Sequence, residues 1–263
     1  MDRSALADSL VRTTLSLADG ELRAAYWVDA ARAWPTEEFA GALDVVCTRA
    51  EQAEANAREA LLAVVDAFNR DGMAAVVQRV REQAAGDSLL ALERLVRSPL
   101  RPSQSPGATG SLAPRHSRPP DLGLGREVTL GERKSLARRP DRDMIQRLLA
   151  DSHPDVIRRC LRNPRVTEDD VVRLAARRPG HPEVLAEIAR SPFSHRPRVR
   201  MALVFNPRTP EEIAARIAGL LLRHELELVA RSPGVPAALR AVCLEHLERR
   251  PPVQDEAGAH GLH

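Results

Sequence analysis

Apolar residues recur at threes and fours along most of the chain, the spacing that lines one face of a helix. Leu6, Leu10, Leu15 and Leu17 begin the pattern, and Leu22, Ala25, Tyr26 and Val28 resume it after Asp19-Gly20. After Trp34-Pro35, the series Phe39, Leu43, Val46, Ala50, Ala53, Ala57, Leu61, Val64, Val65 and Phe68 keeps step without interruption. This predicts one long amphipathic helix that stops at Asp71-Gly72, with two shorter helices after it at 73–84 and 88–97. Residues 1–98 therefore read as a bundle of about five helices joined by short turns.

The pattern lapses between residues 99 and 125, where Pro99, Pro102, Pro106, Pro114, Pro119 and Pro120 alternate with Ser, Gly and Arg. Too few large apolar side chains are present to offset the entropy of ordering, so a disordered linker is expected. The Gly-x-Gly in Leu122 to Leu130 lacks a third glycine and a following βαβ unit, which removes a dinucleotide site. That segment, with a possible short strand, is expected to lead into a helical domain at 126–250. Eight short helices are predicted in it, near 141–150, 154–162, 168–177, 182–190, 197–205, 210–221, 223–231 and 236–249. Pro140, Pro164, Pro179, Pro192, Pro207 and Pro233 each follow a helical run, where proline stops a helix and sets the next turn. Thr167 and Thr209 stand at helix starts, with Asp170 and Glu212 three residues on to close capping boxes. Residues 251–263 read as a disordered tail.

The second half also repeats itself. Residues 154–175 lie over 197–218 at a fixed offset of 43, with eight identities in 22 positions: Pro154, Val156, Asn163, Pro164, Arg165, Glu168, Arg173 and Ala175 fall on Pro197, Val199, Asn206, Pro207, Arg208, Glu211, Arg216 and Ala218. Ala-Arg-Ser-Pro at 189–192 returns at 230–233, and Ala-Arg-Arg-Pro at 137–140 returns at 176–179. A period near 40 made of short helices signals stacked helix pairs that bury their apolar faces against one another. Asn163 and Asn206, each before Pro164 or Pro207, are assigned to architecture, bonding the backbone of the turn before a capped helix.

With Asn163-Pro-Arg-Val-Thr-Glu168 and Asn206-Pro-Arg-Thr-Pro-Glu211 in view, the chain resembles bacterial leucine-rich-repeat-variant proteins and, more loosely, HEAT-like repeat proteins over residues 135–250. The resemblance implies an all-α protein with a short C-terminal HEAT-like α-solenoid, a scaffold that binds proteins and less often nucleic acid. Some members hold an iron–sulfur centre on cysteines ahead of the repeats. Nothing of that kind precedes residue 135, so no cofactor is implied.

Composition agrees with helices. Of 263 residues 43% are hydrophobic but only 3% aromatic, leaving a core of Ala, Leu and Val. Lys134 is the sole lysine, and the abundance of arginine is read as genome composition before ligand chemistry. The halves differ in sign: residues 1–96 hold 10 arginines against 16 acids, residues 136–250 hold 22 against 15. An acidic front and basic back can dock on each other or on an anionic partner, or simply present solvated faces. Cys47, Cys160 and Cys243 form no Cys-x-x-Cys pair, which argues against a disulfide or metal framework. With no apolar run near membrane-spanning length, a cytoplasmic protein with no membrane partner is expected.

No catalytic, cofactor or metal set is expected. His153 and His181 each precede a proline at a helix start, where a cap or solvent exposure suits them, and no His-Glu-x-x-His, Gly-x-Ser-x-Gly or Walker loop occurs. A glycosylase-like enzyme is disfavoured, since Trp27 and Trp34 lie outside the repeats, which hold only Phe193 and Phe205. The expectation is a non-catalytic scaffold or adaptor with an unidentified protein partner, contacted through Arg173, Arg177, Arg216 and Arg223. Carboxylate pairing between repeats is the other reading of those four. The alternative function is weak nucleic-acid binding through a basic face of Arg158, Arg159, Arg162, Arg173, Arg177, Arg178, Arg196, Arg198 and Arg200.

Overall fold

The computed structural model describes residues 2–97 and 119–250; most of the expected linker, at 99–118, and the tail at 251–263 lie outside the described residues. Among the described residues the chain is all helical, with fifteen α-helices, one 3-10 turn and no strand. The short strand considered near 122–130 is absent. There Asp121 accepts a bond from the Gly123 amide at 2.8 Å and Leu122 is buried in the second core, so ordered packing begins ahead of residue 126.

The first six helices are α1 (Arg3–Ser16), α2 (Gly20–Ala33), α3 (Thr36–Glu51), α4 (Ala55–Asn69), α5 (Ala74–Gly86) and α6 (Leu90–Val96). Asp2 and Asp19 cap the first two, each accepting a first-turn amide at 3.2 Å. Their core contains Leu10, Trp27, Phe39, Leu43, Met73 and Leu92, with Phe39 edge-on to Trp27 at a centroid distance of 6.1 Å. The long helix expected over 36–70 is instead two antiparallel helices, α3 and α4. The break is a Schellman turn: Glu54 N donates to Arg49 O and Ala53 N to Ala50 O, both at 3.1 Å, with Ala53 left-handed at φ 66°. Alanine at a place that glycine usually fills leaves no breaker in the sequence.

The remaining helices are α7 (Leu130–Leu136), α8 (Arg142–Leu148), α9 (Pro154–Leu161), α10 (Glu168–Ala176), α11 (Pro182–Ala189), α12 (Pro197–Phe205), α13 (Glu211–Ala218), α14 (Arg223–Arg231) and α15 (Ala237–Arg249), with a 3-10 turn at Pro192–His195. They enclose a second core that includes Ile145, Leu148, Ile157, Leu185, Ile188 and Leu203. Thr167 caps α10 in a full box with Asp170. The box expected at Thr209 and Glu212 does not form. Pro210 occupies the cap of α13, Thr209 Oγ1 turns inward to donate to Leu203 O at 2.6 Å, and Glu212 reaches instead towards Arg81 and Arg216. His153 caps α9, its Nδ1 accepting from the Asp155 amide at 3.2 Å.

Two Asn-Pro turns are tied back to the ends of earlier helices, α7 and α10. Asn163 Oδ1 accepts from Arg165 N at 3.0 Å while its Nδ2 donates to Ala137 O and Arg139 O at 2.9 and 2.8 Å. Asn206 repeats this with Arg208 N, Ala175 O and Arg177 O at 3.1, 2.7 and 3.1 Å. Both side chains are buried, and the bonds to Ala137 O and Ala175 O are buried with them.

The two cores meet where α13 packs on α4 and α6. Leu220 packs on the first core, Arg216 Nη1 donates to Asn69 Oδ1 at 2.8 Å, and Arg97 pairs with Glu245 at 2.8 Å. His246 is buried at the same seam. Burial first, then the Arg250, Arg94 and Arg97 cations, hold its imidazole neutral with a pKa pushed down to about 3. The acidic front and basic back are thus in direct contact. No helix among the described residues is long and apolar enough to cross a membrane.

Candidate functional site

A concavity of about 900 Å³ opens between the α4–α5 turn and the faces of α9 and α11. Helical spacing puts Arg158, Arg159 and Arg162 on one side of α9, and Arg190 follows α11. Glu187, only 5% exposed, organises this wall. Its carboxylate accepts from Arg158 Nε and Nη2 at 2.7 Å each and from Arg190 Nη1 at 3.1 Å. That bidentate bond holds the Arg158 guanidinium charged more firmly than usual. Lys134 pairs with Asp155 at 2.6 Å on the rim and holds that carboxyl below its ordinary range.

The opposite rim comes from the other half of the chain. Arg70 pairs with Glu21 at 2.8 Å, and Asp71 lies 3.4 Å from Arg190 and 3.7 Å from Arg158. Leu161, Val166, Pro164, Pro192 and Phe193 supply the apolar lining. Arg159 and Arg162 have no hydrogen-bond or ion-pair partner among the described residues. The cleft is therefore cationic on one wall, mixed at the rim, and apolar in part.

The four arginines expected to contact a partner are not brought together. Arg173 and Arg177 share a shallow groove of about 350 Å³ with Leu149 and Asp170. Arg173 pairs with Asp170 at 2.7 Å and Arg177 donates to Leu149 O at 3.2 Å. Arg216 is buried on Asn69, and Arg223 donates to Leu247 O and Arg250 O at 3.1 and 2.8 Å. Six of the nine arginines of the expected basic face are engaged within the chain: Arg158, Arg173, Arg177, Arg178, Arg198 and Arg200 each bond a carboxylate or carbonyl. The cleft's second wall escaped sequence reasoning because Asp71 lies more than 80 residues from Arg158, and Asp-Gly at 71–72 reads only as a helix stop.

Among the described residues no group of three His, Cys, Asp or Glu side chains is placed to hold a metal. Cys47, Cys160 and Cys243 are buried free thiols, and burial first of all raises the last two to about 12. Comparisons with protein-family models, curated proteins and solved structures return no match to this chain.

Proposed function

We propose that the protein is a non-catalytic, cytoplasmic adaptor in which α7–α15 stack as a short α-solenoid and the cleft beside α9 and α11 receives a segment of a partner protein. The repeated asparagine bonds, and the contacts of α9 with α11 and of α10 with α12, support the solenoid reading. The observation that carries the adaptor reading is the cleft itself: a preformed cavity with oriented cations, an apolar patch and two guanidiniums that have no partner among the described residues. Nucleic-acid binding is less well supported, because six of the nine arginines invoked for it are engaged within the chain and carboxylates stand among them.

Photo-crosslinking in cells tests this. With p-benzoylphenylalanine incorporated at Phe193, inside the cleft, and separately at Leu228, an exposed side chain on α14, the adaptor reading expects a discrete polypeptide adduct at the first position alone. Adducts dominated by nucleic acid, or identical at both positions, would overturn it.

A further inference from the structure

Asp71 occupies the cleft in an unusual way. It projects from a turn that is fastened at Asn69, where Arg190 Nε donates to Asn69 O and Arg216 Nη1 to Asn69 Oδ1, each at 2.8 Å, while Gly72 supplies the left-handed step at φ 82°. The Asp71 carboxylate lies beside Arg190 Nη1 and Arg158 Nη2. At 3.4 and 3.7 Å, and with a side chain 70% exposed, these are loose ion pairs rather than hydrogen bonds. Glu187 meanwhile accepts hydrogen bonds from both guanidiniums, including the two nitrogens that Asp71 faces, so they stay anchored when Asp71 leaves. Arg159 on α9 and Arg162 just past its end line the same cleft, their side chains without a partner among the described residues.

We propose that the cleft binds an acidic segment of a partner protein, whose carboxylates engage Arg159 and Arg162 and displace Asp71 from Arg158 and Arg190. Asp71 is then a built-in stand-in for the ligand, weak enough to exchange. The inference rests on the adaptor reading and names the chemistry of what the adaptor holds. Arginine forks match carboxylates two bonds at a time. A peptide fits better than a nucleic acid, because Glu21, Asp71 and Asp155 interrupt the positive field that a continuous phosphate backbone needs, whereas a peptide can set apolar side chains on Phe193 and Val166 between its acids.

The test uses the full chain and a fluorescein-labelled oligoglutamate peptide, followed by anisotropy at low salt, with oligolysine and single-stranded DNA as the other arms. Asp71→Asn should tighten oligoglutamate binding by about 2- to 5-fold, the release of one or two exposed ion pairs, and the double change Arg159→Gln with Arg162→Gln should weaken it by about 3- to 20-fold. Circular dichroism checks that both variants keep their helices. Oligoglutamate binding indifferent to the double change, or DNA binding more tightly with the same arginine dependence, would overturn the acidic-peptide site. Equal affinity of Asp71→Asn and the unaltered chain would overturn the stand-in role. No oligoglutamate binding, beside a protein adduct still formed at Phe193, would remove this inference and leave the adaptor reading in place.

Discussion

The stretches at 154–175 and 197–218 carry one sequence pattern and acquire different surroundings. Asn163 and Asn206 make the same three bonds, so the turn is a property of the repeat itself. Arg173 and Arg216, equivalent by the offset of 43, part company: the first side chain is 69% exposed and the second 7%. The cause lies outside the repeat, because α13 carries Arg216 against α4 and α6 while α10 contacts α11 and α12. A repeated sequence therefore fixes the joints between helix pairs, and the neighbour decides whether the arginine they carry is a surface cation or a bolt between two cores.

The sharpest divergence within the pattern is Asp170, whose counterpart is Ile213. Both are buried, yet Asp170 closes the Thr167 box, takes Arg142 through two bonds and pairs with Arg173. Arg142 above all holds its carboxyl far below the usual carboxylate range. Asp170→Ala leaves the Thr167 amide unmatched and Arg142 with only its bond to Arg165 O, and about 3 kcal/mol of stability should be lost in urea unfolding at neutral pH. Because the folded carboxyl is the stronger acid, its contribution is present above the ordinary carboxylate range and fades as pH falls through its folded value. The variant should accordingly show a shallower loss of stability in acid. A loss as steep as in the unaltered chain would mean that Asp170 does not set the acid limb.

Helix positions were legible in the sequence because prolines, caps and three-four spacing are local signals, and α9 to α12 start within a residue of where that spacing puts them. The division of α3 from α4 was not, since its turn uses Ala53 and no glycine or proline. At Thr209 the sequence offered a complete box, and burial of its hydroxyl on Leu203 O won over capping. The asparagines were readable as turn formers from their own dipeptides. Their second bonds, back to Ala137, Arg139, Ala175 and Arg177, depend on tertiary contact with residues 24–31 positions earlier and leave no local trace. The cleft was the least visible feature, because one wall belongs to each half.

The shared joint makes a prediction of equality. Asn163→Ala and Asn206→Ala each strand two carbonyls and one amide at buried turns, and each should cost about 2 kcal/mol. Thermal unfolding of the two variants measures this directly. A difference greater than about 1 kcal/mol would show that the joints, though drawn alike, are not energetically equivalent.

The smallest effects separate the two arginines. Arg216→Ala removes a buried stem and leaves Asn69 Oδ1 without its donor, at a cost of about 1.5 kcal/mol. Arg173→Ala removes an exposed ion pair to a carboxylate that Arg142 still holds, and should cost about 0.5 kcal/mol or less. Double-mutant cycles with Asn69→Ala add the decisive contrast: Arg216 should couple to Asn69 and Arg173 should not. Coupling of neither arginine would mean that the meeting of the two cores rests on the apolar contacts of α13 and Leu220, with Arg216 a tolerated passenger.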